Sequence, residues 1–185
     1  MMSRNVCLFG MMGSGKTTVA WILGQRFGRR VVDTDDEIRR WTGRSIPELF
    51  AEQGEAGFRD LERQVVEELA KLHDLVVALG GGAVLRDDNL ASLALTGVLV
   101  HLDAPVEVLT ERLHADAAAD RPLLAGDVRE RLASTSAARA ERYADVADVT
   151  VDAARAPDEV AEEILAWAMA QGDVLTPSEH EQVMP

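Results

Sequence analysis

The fold of this chain follows from one stretch, Gly10-Met11-Met12-Gly13-Ser14-Gly15-Lys16-Thr17. It fits the pattern G-x-x-x-x-G-K-[ST], whose glycines let consecutive backbone N–H groups turn toward phosphate oxygens. The apolar run before it, Asn5 to Phe9, predicts a buried strand, and residues 18–27 are apolar at helical spacing. A strand, this loop and a helix in that order predict a P-loop that binds polyphosphate.

Particular residues of this loop have predicted tasks. We expect Lys16 to reach the terminal phosphates and the Thr17 hydroxyl to ligate Mg²⁺. The residues predicted to contact the nucleotide here are Gly13, Ser14, Gly15, Lys16, Thr17 and Thr18.

Composition limits the size of the fold and the kind of partner. With 185 residues, of which 47% are hydrophobic, the chain is long enough for one domain, predicted over residues 1–171. The 19 Lys and Arg against 32 Asp and Glu give a net charge of -13, which argues against nucleic acid or an anionic membrane as partner. No apolar run approaches membrane-spanning length, and we expect a monomer.

The cysteine and histidine content bears on location and metals. Cys7 is the one cysteine, so no disulfide can form within the chain, and a reducing cytoplasm is expected. The four histidines show no ligand spacing, which argues against zinc.

Outside the loop, short apolar runs alternate with helical patterns. The predicted strands cover residues 5–9, 30–33, 75–79, 97–102 and 148–152. This alternation predicts the α/β class, with a five-stranded parallel sheet between two layers of helices. Residues 172–185 are polar, contain proline and lack periodicity, so we predict a disordered tail.

Acidic and glycine-rich segments follow the second and third strands. Asp35 and Asp36 fit two interpretations, helix cap and dipole residues, or ligand binding at the carboxyl end of a strand. We favour ligand binding for Asp35. The third strand ends in Gly80-Gly81-Gly82, where three glycines predict close approach of a ligand to the main chain. Because no Walker-type aspartate stands there, Asp33 is the candidate carboxylate for the metal.

Two further segments leave alternatives open. A helix is predicted after a break at residues 54–57, with Leu61, Val65, Leu69 and Leu72 on its apolar face. Arg59 and Glu62 lie off that face and, from this stretch alone, form an ordinary surface ion pair. Residues 114–125 are Ala-rich and end near Arg121-Pro122, which fits a bare linker or a lid whose arginine closes on phosphate.

Taken together, these motifs resemble those of shikimate kinases, which belong to the nucleoside-monophosphate-kinase-like P-loop NTPases. The resemblance covers residues 4–170. The residues that carry it are Gly10 to Thr17, Asp33-Thr34-Asp35, Gly57-Phe58-Arg59 with Glu62, Gly80 to Val84, Arg121 to Leu124, and Arg139-Ala140 with Tyr143.

The resemblance implies an enzyme of aromatic amino acid biosynthesis that transfers the ATP γ-phosphate to the 3-hydroxyl of shikimate. Residues 33–62 would form the substrate-binding region. The residues matching Arg59 and Arg139 would bind the shikimate carboxylate, and those matching Asp35 and Gly81 its hydroxyls. Gly80 and Gly82 belong to the same binding loop.

The nucleotide side of the site is implied in the same way. The residue matching Arg121 would reach the phosphates from the lid, so that Lys16, Asp35 and Arg121 form the catalytic set. Arg112 matches a position near the adenine ring, and Asp33 would hold Mg²⁺ through water.

Three other functions remain as alternatives. A gluconate kinase or a kinase of a shikimate-like cyclitol shares the fold, and gluconate also carries a carboxylate. The glycine run and the Asp33-Thr34-Asp35 segment favour shikimate. A nucleotide switch would need ordered switch loops and a residue that positions water, whereas this sequence predicts a small-molecule pocket.

Overall fold

A five-stranded parallel sheet forms the centre of the molecule, in a computed structural model that describes residues 3–115 and 128–183. Its strands are β1 (Asn5–Gly10), β2 (Arg30–Asp33), β3 (Leu75–Ala78), β4 (Gly97–Asp103) and β5 (Val149–Asp152). Their order across the sheet is β2-β3-β1-β4-β5. The predicted five-stranded parallel sheet is confirmed.

Helices cover both faces of this sheet. In the described residues they are α1 (Lys16–Phe27), α2 (Thr34–Thr42), α3 (Ile46–Leu69), α4 (Asp87–Thr96), α5 (Val106–Ala115), α6 (Val128–Val146), α7 (Pro157–Ala170) and α8 (Pro177–Val183). The connections from β1 to β2 and from β3 to β4 run in opposite directions across the sheet. Right-handed crossovers therefore place α1 and α4 on opposite faces, and α1 packs with α7 and α8 while α3 packs with α4.

The strand register brings the predicted site segments to one edge of the sheet. All six residues of β1 are buried, as expected of a central strand covered on both faces. Ala78 pairs with Leu8 of β1 on one side and with Asp33 of β2 on the other. The carboxyl ends of these three strands thus meet, so the P-loop, the Asp33 segment and the glycines after β3 lie together.

The predicted break at residues 54–57 is smaller than expected. α3 is one helix with a kink, and within it only Gly54 has a non-helical conformation, with φ 69° and ψ −177°. The rings of Phe50 and Phe58 stack across the kink at a centroid distance of 4.5 Å. This contact keeps the two halves of α3 in one packing unit.

The C-terminal segment differs from its prediction. Residues 172–183 are ordered, with Val174 and Leu175 buried in the main hydrophobic cluster. Thr176 and Glu179 then form a capping box for α8, since the Thr176 N–H donates to Glu179 Oε2 at 2.6 Å and the Glu179 N–H donates to Thr176 Oγ1 at 3.3 Å. Two buried apolar side chains and a capped helix explain why this polar stretch is not disordered.

A buried ion pair fastens α8 to the body of the protein. Arg29 donates from Nε and Nη2 to the two carboxylate oxygens of Glu179, at 2.7 and 3.0 Å. Its remaining hydrogen bonds go to the carbonyl oxygens of Arg4, at 2.7 Å, and Val174, at 2.6 Å. The Arg29 side chain is 1% exposed, so its charge depends on this carboxylate for compensation.

We expect Glu179→Ala to lower the free energy of unfolding by about 3 to 5 kcal/mol, because it leaves the Arg29 charge buried without a partner. Urea unfolding followed by circular dichroism measures the change. Glu162→Ala is the matched control, since Glu162 pairs with Arg26 at 2.8 Å with both side chains about half exposed, and it should cost less than about 1 kcal/mol. Equal losses in the two variants would contradict the assigned role of the buried pair.

Candidate active site

In the P-loop between β1 and α1, the side chain of Lys16 hydrogen-bonds to backbone carbonyls of the loop itself. Lys16 Nζ donates hydrogen bonds to the carbonyl oxygens of Gly10, at 3.1 Å, and Met11, at 2.9 Å. The Ser14 hydroxyl is buried and has no hydrogen-bond partner among the described residues. α1 begins at Lys16, and the N–H groups of a first helical turn have no partner within the helix. The loop therefore offers an ammonium group, a hydroxyl and backbone donors to an anion.

Asp33 joins this loop to α2. Its Oδ2 accepts a hydrogen bond from the Thr17 hydroxyl at 2.8 Å, and its Oδ1 accepts from the N–H groups of Asp35 and Asp36, at 3.0 and 3.3 Å. Asp33 is thus the N-cap of α2, whereas the sequence pattern had offered Asp35 and Asp36 as cap residues. One carboxylate oxygen of Asp33 thus caps α2, and the other accepts a hydrogen bond from the Thr17 hydroxyl, which is predicted to bind Mg²⁺.

Asp35 is half-buried beside the glycine loop that follows β3. A Cβ atom on Gly80 would lie 3.1 Å from Asp35 Oδ1 and 2.7 Å from Glu62 Oε1, so only glycine leaves room for both carboxyl groups. The Gly80 N–H donates to the Thr34 hydroxyl at 2.8 Å, which fixes the loop to α2. Burial, and next the charge of Asp33, raise the pKa of Asp35. A raised carboxyl pKa beside a ligand loop suits a proton acceptor.

Arg59 of α3 lies against the far end of this loop. A Cβ atom on Gly82 would come within 2.3 Å of its Nη1. The same Nη1 donates to Glu62 Oε2 at 2.9 Å. Glu62 is 0% exposed, and its Oε1 has no hydrogen-bond partner within residues 3–115 and 128–183. Burial raises the pKa of Glu62, although the adjacent Arg59 acts in the opposite direction. The prediction of a surface ion pair is therefore wrong. Arg59 and Glu62 do pair, but Glu62 is buried.

Arg139 approaches the middle of the loop from α6. Its Nη1 donates to the Gly81 carbonyl at 3.0 Å, and the Tyr143 hydroxyl donates to the same carbonyl at 2.5 Å. Arg59 and Arg139 thus come from two helices far apart in sequence and contact adjacent glycines. The structure brings together all the residues predicted for the acceptor site, because Asp35 lies beside Gly80 of the same loop.

Arg112 connects the P-loop to the turn after β5. Its Nη1 donates to the Gly13 carbonyl at 3.5 Å, and its Nη2 donates to the carbonyls of Ala154 and Arg155, both at 3.2 Å. Arg112 therefore borders the P-loop, and its expected place near the adenine ring stays a prediction. The predicted lid residue Arg121 and all but the first two residues of segment 114–125 lie outside the described part of the chain.

Sequence reasoning missed two features of this site. Thr34 was quoted only as part of a motif, but its hydroxyl accepts the Gly80 N–H. Glu62 was placed off the apolar face of its helix, although the residues buried on this part of α3 are Phe58, Glu62, Val65, Val66 and Leu69. The i, i+3, i+4 and i+7 spacing of Glu62 with those apolar residues was the signal that could have revealed its burial.

In the described ranges 3–115 and 128–183, no helix is long and apolar enough to cross a membrane. Within the same ranges, no group of three or more His, Cys, Asp or Glu side chains could hold a metal ion. A metal bound beside Thr17 and Asp33 would therefore need further ligands from phosphate or water.

Comparison with known proteins gives a consistent result. The family model for shikimate kinase matches residues 12–169. A shikimate kinase of Synechococcus elongatus is 44% identical over 161 residues, which cover 85% of this chain and 83% of that protein. One of Aromatoleum aromaticum is 46% identical over 151 residues, covering 81% and 85%. The solved shikimate kinase of Acinetobacter baumannii in complex with shikimate superposes with a TM-score of 0.85 at 36% identity, covering 91% of this chain and 94% of that one.

Proposed function

We propose that this chain, which belongs to the shikimate kinase family, transfers the γ-phosphate of ATP to the 3-hydroxyl of shikimate, giving shikimate 3-phosphate and ADP. One observation carries the choice of acceptor. Two guanidinium groups, of Arg59 and Arg139, contact adjacent glycines of a loop that also borders a half-buried aspartate, Asp35. A compact ligand with one carboxylate and several hydroxyls matches this set of donors and acceptors.

The P-loop supports binding of the ATP phosphates. Backbone donors of the loop and of the first turn of α1 would surround the β- and γ-phosphate oxygens. Lys16 would exchange its bonds to the loop carbonyls for bonds to phosphate, and the buried Ser14 hydroxyl would gain a partner. Arg112, which is held between Gly13 and the turn after β5, would lie at the adenine end, as the family resemblance implies.

Mg²⁺ belongs to the proposal, and the donor set fits it. Thr17 supplies a hydroxyl oxygen and Asp33 a carboxylate oxygen 2.8 Å away, which are the hard ligands that this ion prefers alongside water and phosphate. When bound, Mg²⁺ neutralises negative charge on the phosphates. Asp33 would act through a coordinated water, while its second oxygen keeps α2 capped.

The acceptor half of the reaction follows from the residues around the glycine loop. Arg59 and Arg139 would hold the carboxylate, which fixes the ring so that its 3-hydroxyl meets Asp35. Asp35 would accept the hydroxyl proton as the new oxygen–phosphorus bond forms and the bond from the γ-phosphorus to ADP breaks. Lys16, with Arg121 from the predicted lid, would stabilise the charge on the phosphoryl group in transit.

The single cysteine bears on where the protein acts. We place the protein in the cytoplasm, which suits an enzyme whose one cysteine, Cys7, is a free buried thiol. We also propose that the protein acts as a monomer.

An assay of ADP release tests the proposed function. Purified protein is supplied with Mg²⁺-ATP and with shikimate, gluconate or no acceptor, and the products are identified by mass spectrometry. We expect rapid ADP release with shikimate alone, together with one phosphorylated product. Faster turnover with gluconate would favour a sugar-acid kinase, and equal ADP release without an acceptor would favour a nucleotide switch.

A further inference from the structure

The phenol of Tyr143 has no part in the chemistry described so far, yet it reaches the acceptor loop. Its hydroxyl donates to the Gly81 carbonyl at 2.5 Å. Arg139 Nη1 donates to that same carbonyl at 3.0 Å and to the Tyr143 oxygen at 3.4 Å. The three groups form a closed triangle of hydrogen bonds in which the guanidinium has two fixed acceptors.

The ring of Tyr143 is held on its other sides by two further rings. Phe9 of β1 meets it edge-on at a centroid distance of 5.3 Å, and His101 of β4 does so at 5.1 Å. Phe9 and His101 are themselves stacked at 5.0 Å. Tyr143 is 2% exposed, and its burial raises the pKa of the phenol, so the hydroxyl keeps the proton that it donates.

We propose that Tyr143 is a positioning residue for the acceptor, which holds the guanidinium of Arg139 against the glycine loop before the acceptor carboxylate arrives. The inference rests on the proposed function, because it takes Arg139 to bind that carboxylate. A long side chain ordered in advance loses less conformational freedom on binding. Tyr143 therefore serves acceptor affinity, and it contributes little to the phosphoryl-transfer step itself.

The first test is Tyr143→Phe, which removes one hydroxyl and keeps the ring packing. We expect the Kd for shikimate, measured by calorimetry, and its KM to rise about three- to tenfold, the effect of one lost hydrogen bond. kcat and the KM for ATP should stay within about twofold. Thr150→Val is the control, because it removes a hydroxyl 3.5 Å from His101 Nδ1 in the same group of residues without touching the loop. A fall in kcat with unchanged shikimate affinity would overturn the proposal.

A double-mutant cycle with Arg139→Ala then tests whether Tyr143 acts through Arg139. In the Arg139→Ala background we expect Tyr143→Phe to change the shikimate Kd by less than about twofold. If the factors by which the two substitutions raise the shikimate Kd simply multiply, Tyr143 acts on the glycine loop independently of Arg139. That result would overturn the inference while leaving the proposed function intact. If Arg139→Ala alone left shikimate affinity unchanged, the proposed acceptor site would fail, and the positioning role with it.

Discussion

Replacing Lys16 with alanine should lower kcat about a hundred- to a thousandfold, the usual cost of removing a donor that stabilises charge in the transition state. In the structure the ammonium group bonds the carbonyls of Gly10 and Met11, within the loop that would surround the phosphates. Its charge should stabilise the phosphoryl group in transit more than bound ATP. Steady-state kinetics with saturating ATP and shikimate measure the loss.

The chain contains one other lysine, which supplies the control. Lys71 is exposed and pairs with Glu68 on the surface, so Lys71→Ala should keep wild-type kcat. Thermal unfolding should show that Lys16→Ala retains the fold, since alanine favours the helix start at that position. Turnover of Lys16→Ala near the wild-type rate would contradict the assignment of the loop.

Replacing Asp35 with asparagine should lower kcat about a hundredfold or more while ATP binding stays nearly intact. Asparagine keeps the size of the side chain but cannot accept the proton of the acceptor hydroxyl. Single-turnover kinetics and nucleotide titration separate the two effects. A change in ATP affinity alone would place Asp35 on the nucleotide side of the site.

The pH dependence gives an independent readout of the same residue. A base works only when unprotonated, so kcat/KM for shikimate, which reports the free enzyme, should fall as the pH drops through the pKa of Asp35. Burial and the charge of Asp33 raise that pKa, which moves this acid limb to higher pH than an exposed aspartate would give. The residual activity of Asp35→Asn should lack the limb. Asp36→Asn, an exposed neighbour on the same helix, should retain it.

The parts of this fold with local sequence signals were predictable. The three central strands, β1, β3 and β4, are mostly apolar runs, because strands buried on both faces need no polar alternation, and the P-loop has a fixed spacing. The order of the strands was beyond reach, since β1 pairs with β3 and β4 through contacts between residues about seventy to ninety apart. Arg59 and Arg139 reach the same glycine loop only because of that order. Only the family resemblance predicted that these two arginines share a site.

The C-terminal helix shows a signal that composition concealed. Residues 172–185 are polar on average, yet Thr176-Pro177-Ser178-Glu179 has the form of a capping box with proline at the first helical position. What could not be read locally is the partner of Glu179. The buried guanidinium of Arg29 lies about 150 residues earlier, and without it seven residues would be too few for a stable helix.

If this site selects an acceptor by its carboxylate, the most direct measurement compares shikimate with the analogue in which a neutral amide replaces that group. If Arg59 and Arg139 hold the anion, each supplies charge-assisted hydrogen bonds of about 1.5 to 3 kcal/mol. The kcat/KM of the wild type should then be at least about tenfold lower for the amide, and Arg59→Ala should affect the amide less than the acid. Equal phosphorylation of acid and amide by the wild type would contradict the account and point to a neutral cyclitol as the acceptor.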